Sequence, residues 1–275
     1  MFNFHEFLDK FPIFTHEEFK QYAVLNGTTN LNTQREILAY HLKEKNIIRI
    51  RRGLFACIPI SSRSNANSFS VDPYLIAGRI SEDAILAYHT AFDFYGLSHS
   101  IFNQYIFLTQ HKIRRFTFQQ AGFIGLPFPL ALVKKNNVNT LVETHDRDGL
   151  IIRVTSLERT IVDVLDRPEY AGGWEEIWRS AEHIPILNFD KVIQYAVLIE
   201  NATTVAKLGF FLEQHKKQFN VDEKLLNLLE TKKPRGIHYL DRNKRESGKL
   251  IRRWNLVVPT QIIDRTWEEP NNDLV

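Results

Sequence analysis

Three arginines are spaced so that they could bind phosphate groups. Arg49, Arg51 and Arg52 come immediately before Gly53, in the run IIRIRRGLFACI. The residues that alternate with Arg49 and Arg51 are apolar, so both guanidinium groups should face away from the protein core. Guanidinium groups bind phosphate oxygens through paired hydrogen bonds, and such contacts to DNA carry most of the salt-dependent affinity. The same pattern also fits the solvated face of an edge hairpin, where charges prevent aggregation.

Polar side chains upstream of these arginines could read DNA bases. They fall at the start of a predicted helix. When such a helix lies in the major groove of DNA, the residues at its N-terminal end contact base edges. Amide and guanidinium groups can each form two hydrogen bonds with one base. The predicted base-contacting residues are Asn32, Thr33, Gln34 and Arg35, with Lys43 further along the same helix.

Two helices and a hairpin are predicted to position these side chains. Thr15 and Glu18 form a capping box that begins the first helix, and Thr33 and Glu36 are expected to form another that begins the second. A β-hairpin follows, because apolar and basic residues alternate around a tight turn at Gly53. Helix, turn, helix and hairpin in this order are the parts of a winged helix-turn-helix, which we predict for residues 1–60.

The rest of the chain is long enough to form a further domain with its own core. A Ser/Asn-rich stretch without periodicity, residues 61–71, is predicted to be a linker. Residues 72–258 mix helical and strand patterns, and residues 259–275 are predicted to be a tail. We therefore expect an α+β protein in which a winged helix-turn-helix precedes a larger mixed α/β domain with several helices. The expected helix starts are Asp72-Pro73, Ser81 for a helix that extends to Tyr95, and a capping box of Thr155 with Glu158.

The composition is that of an ordinary globular protein. The 275 residues include 35 Lys and Arg against 32 Asp and Glu, a formal charge of +3, so the distribution of charge matters more than its total. Cys57 is the only cysteine, which excludes an internal disulfide and a cysteine-based zinc site. We expect no signal peptide, because Glu6 and Asp9 stand where a basic region would be, and no membrane-spanning run. The predicted location is the cytoplasm.

Catalysis has little support in the sequence. Motifs that cradle phosphate or build an acyl-transfer nucleophile do not occur, and the ten histidines form no HxxxH or HExxH pair. Glu143, Asp146 and Asp148 surround a predicted hairpin and leave open a metal-dependent nuclease, although acidic residues are common in tight turns. We predict no catalytic residue, no metal and no cofactor. The polar residues on apolar helical faces are expected to be structural: His89, and the pair Arg159 and Asp163.

A second basic cluster occurs late in the chain. Between Lys232 and Arg253 there are nine basic residues and two acidic ones, with Tyr239 and Trp254 interleaved. Such a stripe could follow DNA phosphates, could bind an acidic protein partner, or could be a solvated hairpin. The residues predicted to form this second basic patch are Arg242, Lys244, Arg245, Lys249, Arg252 and Arg253.

Four stretches of the sequence resemble the AbiEi family of antitoxins. They are IIRIRRGLFAC, DPYLIAGRISEDAILAYHTAFDFYGL, VTSLERTIVDVLDRPEYAGGWEE and YLDRNKRESGKLIRRWNLVVP, and together they span most of the chain. The resemblance implies a transcriptional regulator of a type IV toxin–antitoxin system for phage defence, whose N-terminal winged helix binds double-stranded DNA at its own promoter. It also implies a non-catalytic C-terminal domain that opposes a nucleotidyltransferase toxin without forming a stable complex.

Overall fold

The protein has an α+β fold. A computed structural model describes residues 4–63, 69–241 and 247–267, and these ranges contain twelve α-helices and twelve β-strands. Contacts between residues divide the chain into two compact units. Unit 1 comprises Met1–Leu86, Phe102–Pro127 and Glu143–Val154, and unit 2 comprises Ala87–Ile101, Phe128–Val142 and Thr155–Val275. Of the stretch expected to be a linker, 61–71, residues 64–68 lie outside the described ranges, and the described residue Val71 belongs to unit 1 and is buried.

The first 54 described residues, 4–57, form what we call the N-terminal segment. Its strands form an antiparallel sheet in the order β1-β3-β2, so the last strand lies between the other two. The turn between β2 and β3 uses Gly53 at a φ of 83°, a left-handed conformation that favours glycine. Its elements are α1 (Phe4–Lys10), β1 (Ile13–Thr15), α2 (His16–Leu25), α3 (Leu31–Lys43), β2 (Ile47–Arg51) and β3 (Leu54–Cys57).

The two helix starts of this segment differ in how well local sequence predicted them. The capping box of Thr15 and Glu18 is confirmed at the start of α2. The second box is wrong: α3 begins earlier, at Leu31, and its N-cap is Asn30, whose side chain accepts hydrogen bonds from the amides of Asn32 and Thr33. Asparagine is as good an N-cap as threonine, and here it comes first.

Aromatic side chains fill the core of the N-terminal segment. Phe7 is fully buried and its ring lies 4.8 Å from that of Phe14 and 5.7 Å from that of Phe19. Phe14 lies on β1 and stacks at 5.4 Å on Phe55, its cross-strand partner on β3, so the contact between Phe7 and Phe14 joins α1 to the sheet. Each such ring contributes about 1.5–3 kcal/mol on burial, so this cluster is a large part of what holds the segment together.

Helix α4 and most of a six-stranded sheet complete unit 1. Helix α4 (Pro73–Arg79) begins as predicted, with the Asp72 side chain accepting a hydrogen bond from the amide of Tyr74. A Cβ added to Gly78 would lie 2.7 Å from Cγ2 of Ile152, so the lack of a side chain permits close helix–strand contact. In spatial order the strands are β6 (Phe116–Phe118), β7 (Ala121–Leu126), β5 (Gln104–Leu108), β4 (Ile85–Leu86), β9 (Leu150–Thr155) and β8 (Val142–Arg147).

Two expected helix starts beyond α4 are wrong. The helix predicted from Ser81 to Tyr95 is instead strand β4 followed by a shorter helix, because Leu86 pairs with Phe107 on one side and with Val154 on the other. Sheet pairing there outweighs the helical spacing of the apolar residues. The cap of the next long helix is Ser156 rather than Thr155, since Thr155 is still part of β9.

Unit 2 is mostly helical. Its core contains a buried ion pair, Arg159 with Asp163, whose Nε and Oδ2 atoms are 3.2 Å apart, as expected of a structural pair. The Tyr195 hydroxyl donates to the same carboxylate at 2.7 Å. Its elements are α5 (His89–Phe94), α6 (Leu130–Lys134), α7 (Leu157–Asp166), α8 (Trp174–Glu182), α9 (Phe189–Leu198), α10 (Ala202–Gln214), α11 (Glu223–Glu230), α12 (Thr260–Ile263), and strands β10 (His238–Tyr239), β11 (Gly248–Ile251) and β12 (Leu256–Pro259).

Next to the small three-stranded sheet of unit 2, the indole of Trp254 packs against helix α10. Strand β12 lies between β10, which is parallel to it, and β11, which is antiparallel. Trp254, just before β12, is fully buried, and a Cβ added to Gly209 of α10 would lie 2.1 Å from its ring.

Helix α12 falls in the range expected to be a tail, 259–275, and its residue Ile262 is buried. In the described ranges, no helix combines the length and apolar character needed to cross a membrane.

Candidate nucleic-acid interface

Helix α3 presents a polar face at its N-terminal end. Asn32, Thr33 and Arg35 are exposed, whereas Leu38 and His41 are buried on the opposite side of the helix. His41 stacks on the ring of Phe4 at 3.7 Å, which fixes the inner face against α1. The polar residues at the start of α3 are therefore held on a helix whose rotation is set by core packing. Lys43, by contrast, lies at the other end of the helix.

Gln34 does not belong to this exposed face. Its side chain is only 2% exposed, and its Nε2 donates a 2.7 Å hydrogen bond to the carbonyl oxygen of Thr28. The bond joins α3 to the connection that precedes it, so Gln34 stabilises the turn between α2 and α3. The prediction that Gln34 contacts bases is corrected: no base edge can reach an amide that is buried in this way.

The hairpin arginines lie on strand β2 and in the turn that follows it. Arg49 and Arg52 are the more exposed of the three, and Arg51 is partly buried. An irregularity in pairing between Arg49 and Arg51 accompanies the burial of Ile50 between them. Among the described residues, no carboxylate forms an ion pair with any of these three arginines.

Aromatic rings rather than acids contact two of these guanidinium groups. Arg49 lies over the ring of Phe55, 5.6 Å from its centroid, and Arg51 lies over the ring of Phe116, at 5.1 Å. Cation–π contacts of this kind orient a guanidinium without neutralising it. The Nη1 atom of Arg51 is enclosed and has no hydrogen-bond acceptor among the described residues. No local pattern in the sequence points to Phe116, because it is far from the hairpin along the chain.

Acidic residues also occur on helices α2 and α3 of the N-terminal segment. Glu36 is exposed on α3, directly after Arg35, where it would repel a phosphate. Glu18, by contrast, is engaged in an ion pair with Arg79 of α4 and in the capping box of α2. The positive charge is therefore concentrated at the hairpin rather than spread evenly over α3.

The second basic patch is only partly available to a ligand. Lys249 and Arg252 are exposed, whereas Arg242, Lys244 and Arg245 lie outside the described residues. Arg253 requires a correction, because its guanidinium pairs with three carboxylates: Glu213 at 2.9 Å, Glu223 at 2.6 Å and Glu230 at 3.2 Å. Partial burial lowers the pKa of Arg253, but its hydrogen bonds to Glu223 and Glu213 outweigh that effect and raise the pKa. Arg253 joins α10, α11 and the loop before β12.

The carboxylates considered for a nuclease lie on strand β8 and in the turn that follows it. Asp146 accepts a 3.2 Å hydrogen bond from the amide of Gly149, and Asp148 adopts a left-handed conformation with a φ of 51°. Glu143 lies 3.4 Å from Nε2 of His145. In the part of the chain that the structure describes, no group of three or more His, Cys, Asp or Glu residues has the geometry to hold a metal ion.

A buried carboxylate in unit 2 was not predicted from the sequence. Glu176 of α8 accepts hydrogen bonds at Oε1 from the amides of His99 and Ser100, at 3.0 and 2.9 Å. His89 Nε2 lies 3.3 Å from the same oxygen, in keeping with the prediction that His89 is structural. Burial alone would raise the pKa of Glu176, but the hydrogen bonds to His89 and Ser100 outweigh it and lower the pKa to about 2.

Comparison with known proteins yields a fold but no family. The sequence matches no family model and no curated protein. Among solved structures, the crystal structure of the RV2827C protein from Mycobacterium tuberculosis is similar, with a TM-score of 0.59 and 12% sequence identity. The similarity covers 93% of this chain and 90% of that chain. At this identity it shows a shared fold alone.

We predict that the Glu176→Gln variant is less stable by about 1–3 kcal/mol near neutral pH, because the amide replaces an ionised acceptor of several hydrogen bonds. The folded pKa, about 2, lies below the ordinary value of 4.5, so the carboxylate stabilises the fold fully above pH 4.5 and progressively less as the pH falls toward 2. The difference in unfolding free energy between wild type and variant should therefore narrow over that interval, as measured by urea denaturation.

Glu182, which is exposed at the end of the same helix, provides the matched control. Its replacement by glutamine should change the unfolding free energy by no more than about 0.5 kcal/mol. A difference for Glu176→Gln that stays constant between pH 4.5 and about 2 would contradict the assignment of an ionised, hydrogen-bonded Glu176.

Proposed function

We propose that this chain binds double-stranded DNA through α3 and the β2–β3 hairpin, as a winged helix-turn-helix. The main support is that three hairpin arginines, Arg49, Arg51 and Arg52, have no acidic partner among the described residues. The order α1-β1-α2-α3-β2-β3, with β3 between β1 and β2, also agrees with such a unit. A three-stranded sheet with uncompensated arginines at one turn is well suited to contact a polyanion.

In this proposal each group of residues has a different role. Helix α3 enters the major groove, where Asn32, Thr33 and Arg35 meet base edges and Lys43 contacts the backbone. The hairpin lies along the phosphates next to the groove, and its arginines fix the register of the protein on the duplex. Sequence preference then comes from the exposed start of α3, and the salt-dependent part of the affinity comes from the hairpin.

We further propose that the protein is a transcriptional regulator and antitoxin of the AbiEi type, located in the cytoplasm. This rests on the resemblance of four sequence stretches, which fall in both compact units. Unit 1 would bind the promoter of its own operon, and unit 2 would oppose a nucleotidyltransferase toxin without a stable complex. No step of catalysis is assigned to the chain.

Replacement of the three hairpin arginines by alanine (R49A/R51A/R52A) should weaken binding to every duplex, whatever its sequence. The slope of log affinity against log salt concentration should fall by about 0.9 for each phosphate that the variant no longer neutralises. Fluorescence anisotropy with a labelled duplex over a range of salt concentrations measures both quantities. Because Arg51 also contacts Phe116, the unfolding midpoint of the variant is measured alongside.

The control variant is K191A/K217A/K224A, which removes the same charge from exposed lysines of unit 2. Its salt slope should equal that of the wild type. An unchanged slope in the folded arginine variant would remove the hairpin from the interface, and a wild-type protein that shifts no duplex at low salt would contradict DNA binding altogether.

Arg35 and Gln34 should respond differently to replacement by alanine. Arg35→Ala should reduce the preference for the operator in the promoter of its own operon over a mismatched site by about 1–3 kcal/mol, with little change in stability. Gln34→Ala should lower the unfolding free energy by about 1–3 kcal/mol and leave the operator preference as it was, because its amide is buried and bonded to Thr28. Competition binding and denaturation distinguish the two; a changed preference in a stable Gln34→Ala protein would restore Gln34 as a base contact.

The antitoxin role predicts a nucleotidyltransferase in the adjacent reading frame. Its expression alone should arrest growth, and co-expression of the full chain should restore growth without the two proteins co-purifying. The R49A/R51A/R52A variant should still restore growth from an unrelated promoter, because the proposal places toxin opposition in unit 2. Growth arrest that persists with the full chain present would exclude the antitoxin role while leaving DNA binding intact.

A further inference from the structure

A second basic segment of unit 1 lies beside the hairpin. The loop between β5 and β6 contains Lys112, Arg114 and Arg115, and all three side chains are exposed. Among the described residues, none of the three forms an ion pair with a carboxylate. The loop is far from the predicted winged unit in the sequence, so nothing in the local pattern connects the two.

Both ends of this loop are held in place. At its start, Asp83 accepts hydrogen bonds from the amide of Gln110 and the hydroxyl of Thr109, at 2.5 and 2.6 Å. Partial burial raises the pKa of Asp83, but these hydrogen bonds outweigh it and lower the pKa, so the carboxylate stays ionised. At its end, Phe116 stacks on Phe123 with the ring centroids 4.8 Å apart.

The hairpin touches the end of the loop. The guanidinium carbon of Arg51 lies 5.1 Å from the centroid of the Phe116 ring, and Phe116 directly follows Arg114 and Arg115 in the chain. Cationic side chains from two distant stretches of sequence thus belong to one part of unit 1. The carboxylate at the base of the loop, Asp83, already accepts hydrogen bonds from the loop itself and lies 3.8 Å from His111 Nε2.

We propose that Lys112, Arg114 and Arg115 bind backbone phosphates of the same DNA duplex that contacts the hairpin. The interface then extends beyond the winged unit, and the protein protects a longer stretch of DNA than α3 and the hairpin alone would cover. Arginine can bind a phosphate through two hydrogen bonds and lysine acts as a point charge, so the loop adds affinity and register without reading sequence. This inference rests on the proposed DNA binding.

The test compares the full-length variant K112A/R114A/R115A with the wild type and with K191A/K217A/K224A, which loses the same charge elsewhere. The slope of log affinity against log salt concentration should fall by about 2–3 in the loop variant, at about 0.9 for each phosphate left unneutralised. Hydroxyl-radical footprinting should show that protection disappears at one end of the site only. The control variant should match the wild type in both measurements.

A charge-preserving variant, R114K/R115K, separates an effect of charge from an effect on folding. Its salt slope should stay close to that of the wild type, since each lysine still neutralises a phosphate. If K112A/R114A/R115A keeps the wild-type slope and footprint while the slope of R49A/R51A/R52A falls, the loop is outside the interface and the inference is overturned, but the proposed DNA binding stands. If the wild type binds no duplex, both proposals fall together.

Discussion

The phenylalanine cluster of the N-terminal segment is the constraint on which the arrangement of the candidate nucleic-acid interface depends. Phe14 contacts Phe7 on one side and Phe55 on the other, so the helices and the sheet share one core. The Phe55 ring also lies near the guanidinium of Arg49. Because interior packing allows little adjustment, the spacing between α3 and the hairpin is set by the core alone, which would lower the entropic cost of the proposed DNA binding.

The basic residues of this protein differ in the groups that their charges contact. Arg159, Arg79 and Arg253 are each paired with carboxylates and join elements of the fold. Arg49 and Arg51 instead contact aromatic rings, which leaves their charge uncompensated. The formal charge of the whole chain, +3, therefore does not describe the charge around the hairpin, and in the proposed function it is this local positive charge that attracts DNA.

Local signals in the sequence were sufficient to predict some structural elements and gave wrong predictions for others. The capping box at Thr15 and the glycine turn at Gly53 were predictable, because each depends on residues within a few positions of one another. The role of Arg253 was not, because its partner Glu213 is 40 residues away and only the packing of α10 brings them together. The burial of Gln34, by contrast, follows from the helical spacing of α3, because Gln34 lies four and seven residues before the buried Leu38 and His41 and so shares their face.

The close contact between Gly209 and Trp254 limits how this sequence can diverge. Every residue other than glycine would place an atom inside the volume of the indole ring. The indole in turn is fixed by a 2.7 Å hydrogen bond from its Nε1 to Glu213, so it cannot simply move aside. The two positions can therefore change only as a pair: a relative that acquires a side chain at the first must carry a smaller ring, or none, at the second.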